Sequence, residues 1–200
     1  AIALMIAGLL IAGNWLLYTV ATTTERTLEA SLGYFINPIV AVLLGVIVLR
    51  EKLRPLQWAA IVVGCLAVLV MSVFYGSVPW LSLGLAFSFG FYGLVKSTIG
   101  SRYPALVTLT GETAAIAPLA LVGMIFLNSQ DQVTLFSEGA GHFWLLASSG
   151  IITAVPMLLF GSAAARLPLS TVGMFQYVAH IGQFFMAIAV LGDSLPLERG

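Results

Sequence analysis

The polar side chains that could do chemistry lie inside long apolar runs of the 200-residue chain. Glu112 stands out, because it follows Ala105 by about two helical turns and has Thr108 about one turn away. A carboxylate at such a depth in a membrane span is costly and is a functional hypothesis by default. It could bind a cation, carry a proton or pair with a basic group, and the sequence leaves these three roles open.

A second apolar run carries small or polar residues four positions apart. These residues share one helical face and allow another helix to approach closely: Gly33, Asn37, Ala41 and Gly45. Pro38 cannot donate a backbone hydrogen bond, so it frees the carbonyl group of Tyr34. This pattern predicts a kinked, polar segment that either faces a substrate pathway or packs against a neighbouring helix.

Polar residues also share one face of the last apolar run, spaced three or four positions apart: Gly173, Gln176, His180 and Gln183. Polar side chains facing lipid are costly, so we expect this face to point inwards. The side chains either line a pathway or form hydrogen bonds between helices. For His180, a packing role and a proton-handling role are both open.

Several other residues are candidates of lower specificity. Asn14 lies deep in the first run and is either a pathway residue or a source of interhelical hydrogen bonds. Tyr92 either lines a cavity or lies at the membrane interface, whereas Lys96 is expected to extend towards the lipid head groups. Pro118 and Pro156 are predicted to kink their helices.

The composition favours a lipid environment over water. Hydrophobic residues make up 60% of the chain and charged residues 8%, against about 25% charged residues in ordinary soluble domains. The formal net charge of zero offers no basic face for nucleic acid. Cys65 cannot form an internal disulfide and is predicted to be a buried apolar side chain. Metal-ligand spacing is absent from the sequence, so no metal or cofactor is expected.

Seven stretches are long and apolar enough to be membrane helices. Their predicted bounds are 1–21, 28–49, 56–74, 80–95, 105–127, 143–165 and 169–191. The predicted fold is therefore an all-α bundle of transmembrane helices. It divides into a first part at 1–74 and a second part at 80–200. The connections are short, apart from a polar one at 128–142, and no soluble domain is expected.

Basic residues alternate between the loops. The loops after the second, fourth and sixth stretches hold Arg50, Lys52, Arg54, Lys96, Arg102 and Arg166. The other loops hold only Arg26 and Arg199. The positive-inside rule places the first set in the cytoplasm. Glu51 is expected to join its basic neighbours in a charge cluster at the level of the lipid head groups.

An internal repeat relates the first two stretches to the last two. Gly8–Leu53 resembles Gly150–Leu195 at a constant offset of 142 (150 − 8 = 142) without a gap. Chance similarity between apolar helices is the alternative explanation. If the repeat is real, the odd number of intervening spans inverts the second copy, and inverted repeats are typical of alternating-access transporters.

Four stretches carry specific motifs: GNWLL (13–17), LEASLGYFINP (28–38), LGLAFSFGFYGLV (83–95) and RLPLSTVGMFQY (166–177). Together they closely resemble the RarD branch of the EamA-type drug/metabolite transporters, and the resemblance covers essentially the whole chain. One departure is His180, which stands where the branch has a proline soon after the Gln-Tyr pair.

The resemblance implies ten helices in two inverted halves in the bacterial inner membrane, of which this chain would supply the third to the ninth. It implies a permease, expected to export small metabolites or drugs such as chloramphenicol-like compounds. Binding is expected near Asn37, Gln176 and Glu112, with proton coupling and a homodimer as open questions. A non-transporting scaffold or regulator is the main alternative. An intramembrane enzyme is disfavoured, since no His-Glu-x-x-His or Gly-x-Ser-x-Gly motif occurs.

Overall fold

The computed structural model describes residues 2–24, 26–75, 79–130 and 139–189. Within these ranges the regular elements are seven α-helices: α1 Ile2–Thr23, α2 Thr27–Ile47, α3 Pro55–Tyr75, α4 Trp80–Gly100, α5 Ala105–Asn128, α6 Gly139–Ala164 and α7 Leu169–Ala189. Four helices among the described residues, α1, α2, α5 and α6, are long and apolar enough to cross a membrane. The predicted all-α, polytopic membrane fold is confirmed. The side chain of Gln183 and the end of the second repeat copy lie outside the described residues.

The fourth helix is longer than the sequence predicted. It was expected to end at Val95, but α4 continues to Gly100. The helix was expected to end before Lys96 because of its charge. Lys96 instead lies inside α4 and pairs with Glu112 of α5. Helix α6 also begins four residues early, at Gly139.

The helices form two compact units. The first unit contains Ala1–Trp15 and Phe91–Leu167, and the second contains Leu16–Gly90 and Pro168–Gly200. In the first unit α5 packs against α6, and in the second unit α2 packs against both α7 and α3. The two predicted parts at 1–74 and 80–200 rest on the repeat and stay a prediction.

Helix α2 forms the core of the second unit. One group of buried apolar side chains on it packs around Ala86 of α4: Leu32, Ile36 and Val40. Another packs around Ile61 of α3: Ile39 and Val42. The first group follows the four-residue spacing of a single helical face, and the second occupies a different face. Because α2 is apolar on several faces, it lies among other helices.

Small residues bring α2 close to its neighbours. A Cβ atom added at Gly33 would lie 3.1 Å from the carbonyl oxygen of Ser82 on α4. One added at Gly173 on α7 would lie 3.0 Å from the Cβ of Ala41 and 3.1 Å from the carbonyl oxygen of Pro38. These distances are too short for a larger side chain, so the small-residue faces of α2 and α7 allow the close approach expected of them.

The loop after α2 is tied to the start of α7. Arg50 has a positive φ of 57°, and the Glu51 N–H donates to the carbonyl group of Gly45 at 3.0 Å. The Glu51 carboxylate then accepts the backbone N–H groups of Leu169 at 2.6 Å and Ser170 at 2.9 Å. The first N–H groups of a helix have no partner within the helix and attract a negative charge. Glu51 therefore caps α7. Its expected place in a charge cluster at the level of the lipid head groups stays a prediction.

Cys65 is exposed on α3, not buried as predicted. The prediction carried over the burial habit of cysteine in water-soluble proteins. In a membrane helix an apolar side chain can face lipid at little cost, so burial within the protein is not required.

Candidate functional site

A buried cluster of polar side chains lies in the first unit, between α4 and α5. The Lys96 ammonium group donates to Glu112 Oε1 at 2.9 Å and to Thr108 Oγ at 2.7 Å. The Tyr92 hydroxyl donates to Glu112 Oε2 at 3.3 Å. All four side chains are almost completely inaccessible to solvent. We call these residues the charged cluster.

Helical spacing and a glycine position the charged cluster. Tyr92 and Lys96 are four residues apart on α4, so they point the same way, and the same holds for Thr108 and Glu112 on α5. Gly161 on α6 leaves room for the lysine, because a Cβ atom there would lie 3.0 Å from Lys96 Cε. The ring of Phe160, also on α6, stacks on Tyr92 with 5.9 Å between centroids.

In the charged cluster the Glu112 carboxylate pairs with a basic group, which is one of the three roles that the sequence left open. Lys96 was expected to extend to the head groups, and this prediction is wrong. Its side chain points inwards and contacts the Glu112 carboxylate. The reason is electrostatic: two opposite charges at membrane depth neutralise each other, whereas either one alone would be left uncompensated.

A cavity of about 440 Å³ adjoins Glu112 in the first unit. Its wall is formed mainly by apolar side chains of α1 and α5: Ile11, Ala12, Trp15, Leu109, Ile116, Ala117, Ala120, Leu121 and Met124, with Met157 from α6. Glu112 and Thr113 are the polar residues among those that line it. The cavity therefore fits a mostly apolar molecule with one charged or hydrogen-bonding group.

A second group of polar side chains lies in the second unit, on α2 and α7. The Oδ1 atom of Asn37 and the Oε1 atom of Gln176 are buried, and neither has a hydrogen-bond partner among the described residues. A buried acceptor without a donor is costly, which marks both side chains as candidates for contact with a bound molecule. Asn37 and Gln176 together are called the amide pair below.

Aromatic rings surround His180, where the resemblance leads one to expect a proline. The His180 ring lies 5.4 Å from the Tyr34 ring and 5.9 Å from the Phe35 ring, centroid to centroid. Its Nδ1 atom lies 2.6 Å from the Gln176 carbonyl oxygen. Because a carbonyl oxygen only accepts, Nδ1 carries the proton. His180 thus adds a hydrogen bond to a carbonyl group that a proline at this position would leave free.

Helices α2 and α7 run antiparallel, as three contacts along them show. Ser170 lies next to Gly45, the Tyr177 hydroxyl donates to the Phe35 carbonyl group at 3.2 Å, and the His180 ring lies against the Tyr34 ring. Residue numbers therefore rise along one helix as they fall along the other.

The structure distributes the predicted residues over both units. Glu112 and Tyr92 meet in the charged cluster of the first unit, where Asn14 is half-buried on α1. The predicted residues Asn37, Tyr34, Gln176 and His180 lie in the second unit. Binding near Asn37, Gln176 and Glu112 together stays a prediction.

The three predicted kink residues lie inside their helices, Pro38 in α2, Pro118 in α5 and Pro156 in α6. Pro38 is fully buried, whereas the other two are exposed. A kink at each stays a prediction.

Sequence reasoning missed Glu29, which is completely buried in the first turn of α2. The Arg26 Nε atom donates to Glu29 Oε1 at 2.6 Å, and the Ser82 hydroxyl donates to the Glu29 carbonyl group at 2.6 Å. The signal was present, since an acidic residue in a first turn three positions after an arginine is a favourable helical pair.

Comparison with known proteins agrees with the motifs. Residues 1–73 match the EamA-like transporter family. Over 194 residues the chain is 44% identical to protein RarD of Streptomyces exfoliatus, which covers 97% of this chain and 61% of that protein. The chain belongs to the EamA-like transporter family. A second member, protein RarD of Escherichia coli, is 41% identical over 190 residues, with 95% of this chain and 64% of that protein covered.

A third relative, an uncharacterized transporter of Pseudomonas aeruginosa, is 41% identical over 199 residues, with 99% of this chain and 66% of that protein covered. The resemblance to the RarD branch is confirmed. The chain spans 61 to 66% of the length of these EamA-like relatives. No solved structure matches the chain. The names of the family and of the relatives describe a membrane transporter, not an enzyme.

Proposed function

We propose that the protein containing this chain is a permease that exports small molecules across the bacterial inner membrane by alternating access. Membership of the EamA-like family supports the class of function. The antiparallel packing of α2 against α7 supports the mechanism and is the observation that carries it.

The packing of α2 against α7 fits a two-fold relation between repeat copies. The helices begin at Thr27 and Leu169, which are 142 positions apart (169 − 27 = 142). The hydrogen bond between Tyr177 and Phe35 also joins positions 142 apart (177 − 35 = 142). Residues that a two-fold axis relates can touch each other only at that axis. The contact therefore supports an inverted repeat with its axis near Phe35 and Tyr177. Inverted repeats are common among alternating-access transporters.

The amide pair supports a substrate contact close to this axis. Asn37 lies two residues after Phe35 on α2, and Gln176 immediately precedes Tyr177 on α7. Their buried acceptor atoms have no donor among the described residues, so a substrate or water that brings N–H or O–H groups would be bound there. Because transporters hold their substrates near the membrane midplane between repeats, this location suits a substrate site.

The test is transport by the full-length protein in reconstituted vesicles, with a panel of labelled metabolites and drugs. A substrate that the wild-type protein moves should be moved at least about tenfold more slowly by the double variant N37L/Q176M, because each lost buried hydrogen bond weakens binding by about 1 kcal/mol. Ser148→Ala is the matched control, since Ser148 bonds only its own helix at an exposed position.

Two results would count against this function. Unchanged transport by N37L/Q176M would remove the amide pair from the pathway. Failure of the wild-type protein to move any member of the panel, together with the absence of saturable binding, would favour the alternative of a membrane scaffold or regulator.

A further inference from the structure

We propose that the cavity beside Glu112 binds one apolar organic cation, and that the cation enters in exchange for the proton of Lys96. This inference rests on the proposed function, because it names the substrate class and the coupling ion of the same transporter. In this proposal the charged cluster exchanges a proton for a cation, whereas a purely structural ion pair would only stabilise the fold.

The cavity wall sets the shape and the charge of the ligand. Its lining is apolar apart from Glu112 and Thr113, and the Thr113 hydroxyl already donates to the Leu109 carbonyl group of its own helix. Lys96 is not among the residues that line the cavity. A ligand therefore meets apolar side chains, the ring of Trp15 and an acidic residue. An aromatic or aliphatic body with one cationic group satisfies all three.

The two oxygen atoms of the Glu112 carboxylate have hydrogen bonds of different length. Oε1 is held by Lys96 at 2.9 Å, a short charge-assisted hydrogen bond. Oε2 has the Tyr92 hydroxyl at 3.3 Å, which is long for an O–H donor. Oε2 therefore has the weaker of the two hydrogen bonds, and the proposal assigns the ligand's ammonium group to this atom.

A count of charges requires the exchange. Glu112 carries one negative charge, and Lys96 already neutralises it. A ligand cation would leave one uncompensated positive charge in a medium of low dielectric constant, which is strongly unfavourable. The site can release that charge as the proton of the Lys96 ammonium group, which contacts the same carboxylate. On entry of the cation, the Lys96 ammonium group loses one proton to water, and no other bond is made or broken.

Lys96 remains hydrogen-bonded after it loses the proton. A neutral amine still donates to Thr108 Oγ, which lies 2.7 Å away, and to Glu112 Oε1. The deprotonated state thus leaves no buried donor unsatisfied. Return of a proton to Lys96 would restore the original pair and expel the cation, so the two cations compete for one carboxylate.

The ionisable groups that the structure describes in the first unit lie outside the charged cluster, with the exception of its own members. Tyr92 is the further titratable group in the charged cluster, and it faces Glu112 from α4. On α6, His142 precedes Gly161 by 19 residues (161 − 142 = 19), which is about 28 Å along the helix axis. Arg102 and Arg166 are exposed. Among the described groups, Lys96 is therefore the basic group next to Glu112.

Calorimetric titration of the full-length protein in detergent tests the exchange. The probes are 1-naphthylmethylamine, a cation at pH 7, and 1-naphthalenemethanol, its neutral analogue. Measurement in buffers of different ionisation enthalpy counts the protons released. We expect the amine to bind at least about tenfold more tightly than the alcohol, with release of about one proton per amine and none with the alcohol.

Variants separate the roles of the two charged residues. K96M should still bind the amine but release no proton. The neutral double variant K96M/E112Q should bind amine and alcohol equally, because it has neither charge. Ala12→Phe, which fills the cavity, should weaken the binding of both probes and so locate the site.

Binding of the amine no more tightly than the alcohol, or binding without proton release, would overturn the inference even if the wild-type protein transports other compounds. Conversely, proton release on amine binding would support the inference even if no transport of any compound were measured, in which case the proposed function would fail alone.

Discussion

Lys96 and Glu112 hold each other in place at a depth where neither charge could remain alone. Both side chains are about 2% exposed, and their charged atoms are 2.9 Å apart. Loss of one partner leaves the other as an uncompensated buried charge, which costs more than the pair contributes. The pair is therefore best examined by changing one residue and then both.

The single and double variants of this pair should differ in how much they change the stability of the protein. E112Q should destabilise the protein by about 3–5 kcal/mol, whereas K96M/E112Q should be within about 1 kcal/mol of the wild type or more stable. Thermal unfolding in detergent provides the measurement. If both variants lost the same stability, the two side chains would not be energetically coupled.

At the residue scale, sequence reasoning found one member of the pair. Glu112 was singled out because a carboxylate inside an apolar run is costly unless it has a partner or a function. Lys96 was assigned to the head groups because its run seemed to end beside it. The two residues are 16 positions apart on different helices. Only the packing of α4 on α5 brings them together, and no spacing along a single helix reveals it.

At the scale of the helices, the start of α7 depends on a contact with the loop after α2. The Glu51 carboxylate binds two backbone N–H groups of α7 across 118 and 119 positions of sequence. Gly45 makes room for it, since a Cβ atom there would lie 2.7 Å from Glu51 Oε2. The start of α7 is therefore fixed by a residue of another loop.

Removal of this cap should loosen the first turn of α7. E51A should cost about 0.5–2 kcal/mol of stability, as loss of a helix cap does elsewhere. It should also speed hydrogen exchange at the Leu169 and Ser170 amides. E51Q, which keeps an oxygen acceptor but loses the charge, should have an intermediate effect. K52A is the control, and equal exchange rates in E51A and K52A would show that Glu51 is not the cap.

The close contact of α2 with α7 makes a prediction about two glycines of the same helix. G173A should destabilise the protein by about 1–3 kcal/mol, because the new Cβ meets a backbone atom of Pro38 and must push the helices apart. G182A meets nothing within 4 Å and should be neutral or stabilising by up to about 1 kcal/mol, since alanine favours a helix over glycine.

Thermal unfolding of both glycine variants under one condition provides the comparison. A G173A protein as stable as G182A would mean that α2 and α7 do not pack as closely as described.

At the scale of the helices, the sequence predicted where most of them lie along the chain. It predicted few of the contacts between them. The length of each apolar run predicted seven helices, because a span must reach across the bilayer. The end of α4 was placed too early, since the charge of Lys96 looked like a boundary until Glu112 was found to neutralise it. The capping of α7 by Glu51 could not be predicted, because it depends on where the loop after α2 lies in space.

At the scale of the whole molecule, a repeated pair of helices in opposite directions is the feature from which the transport mechanism is inferred. The offset of 142 appears in the sequence, in the starting points of α2 and α7, and in the contact of Tyr177 with Phe35. A chance similarity between apolar helices does not by itself bring Tyr177 into contact with Phe35, so this contact supports the repeat, which stays a prediction.

The opposite directions of α2 and α7 in the membrane are tested most directly by the accessibility of single cysteines in whole cells. In the full-length protein, Cys65 and any other native cysteine are first replaced by alanine. Thr24→Cys then precedes α2 and Arg166→Cys precedes α7. The positive-inside rule predicts that a membrane-impermeant maleimide labels T24C from outside, and labels R166C only after the membrane is permeabilised. Labelling of both cysteines from the same side would place α2 and α7 in the same direction and contradict the inverted repeat.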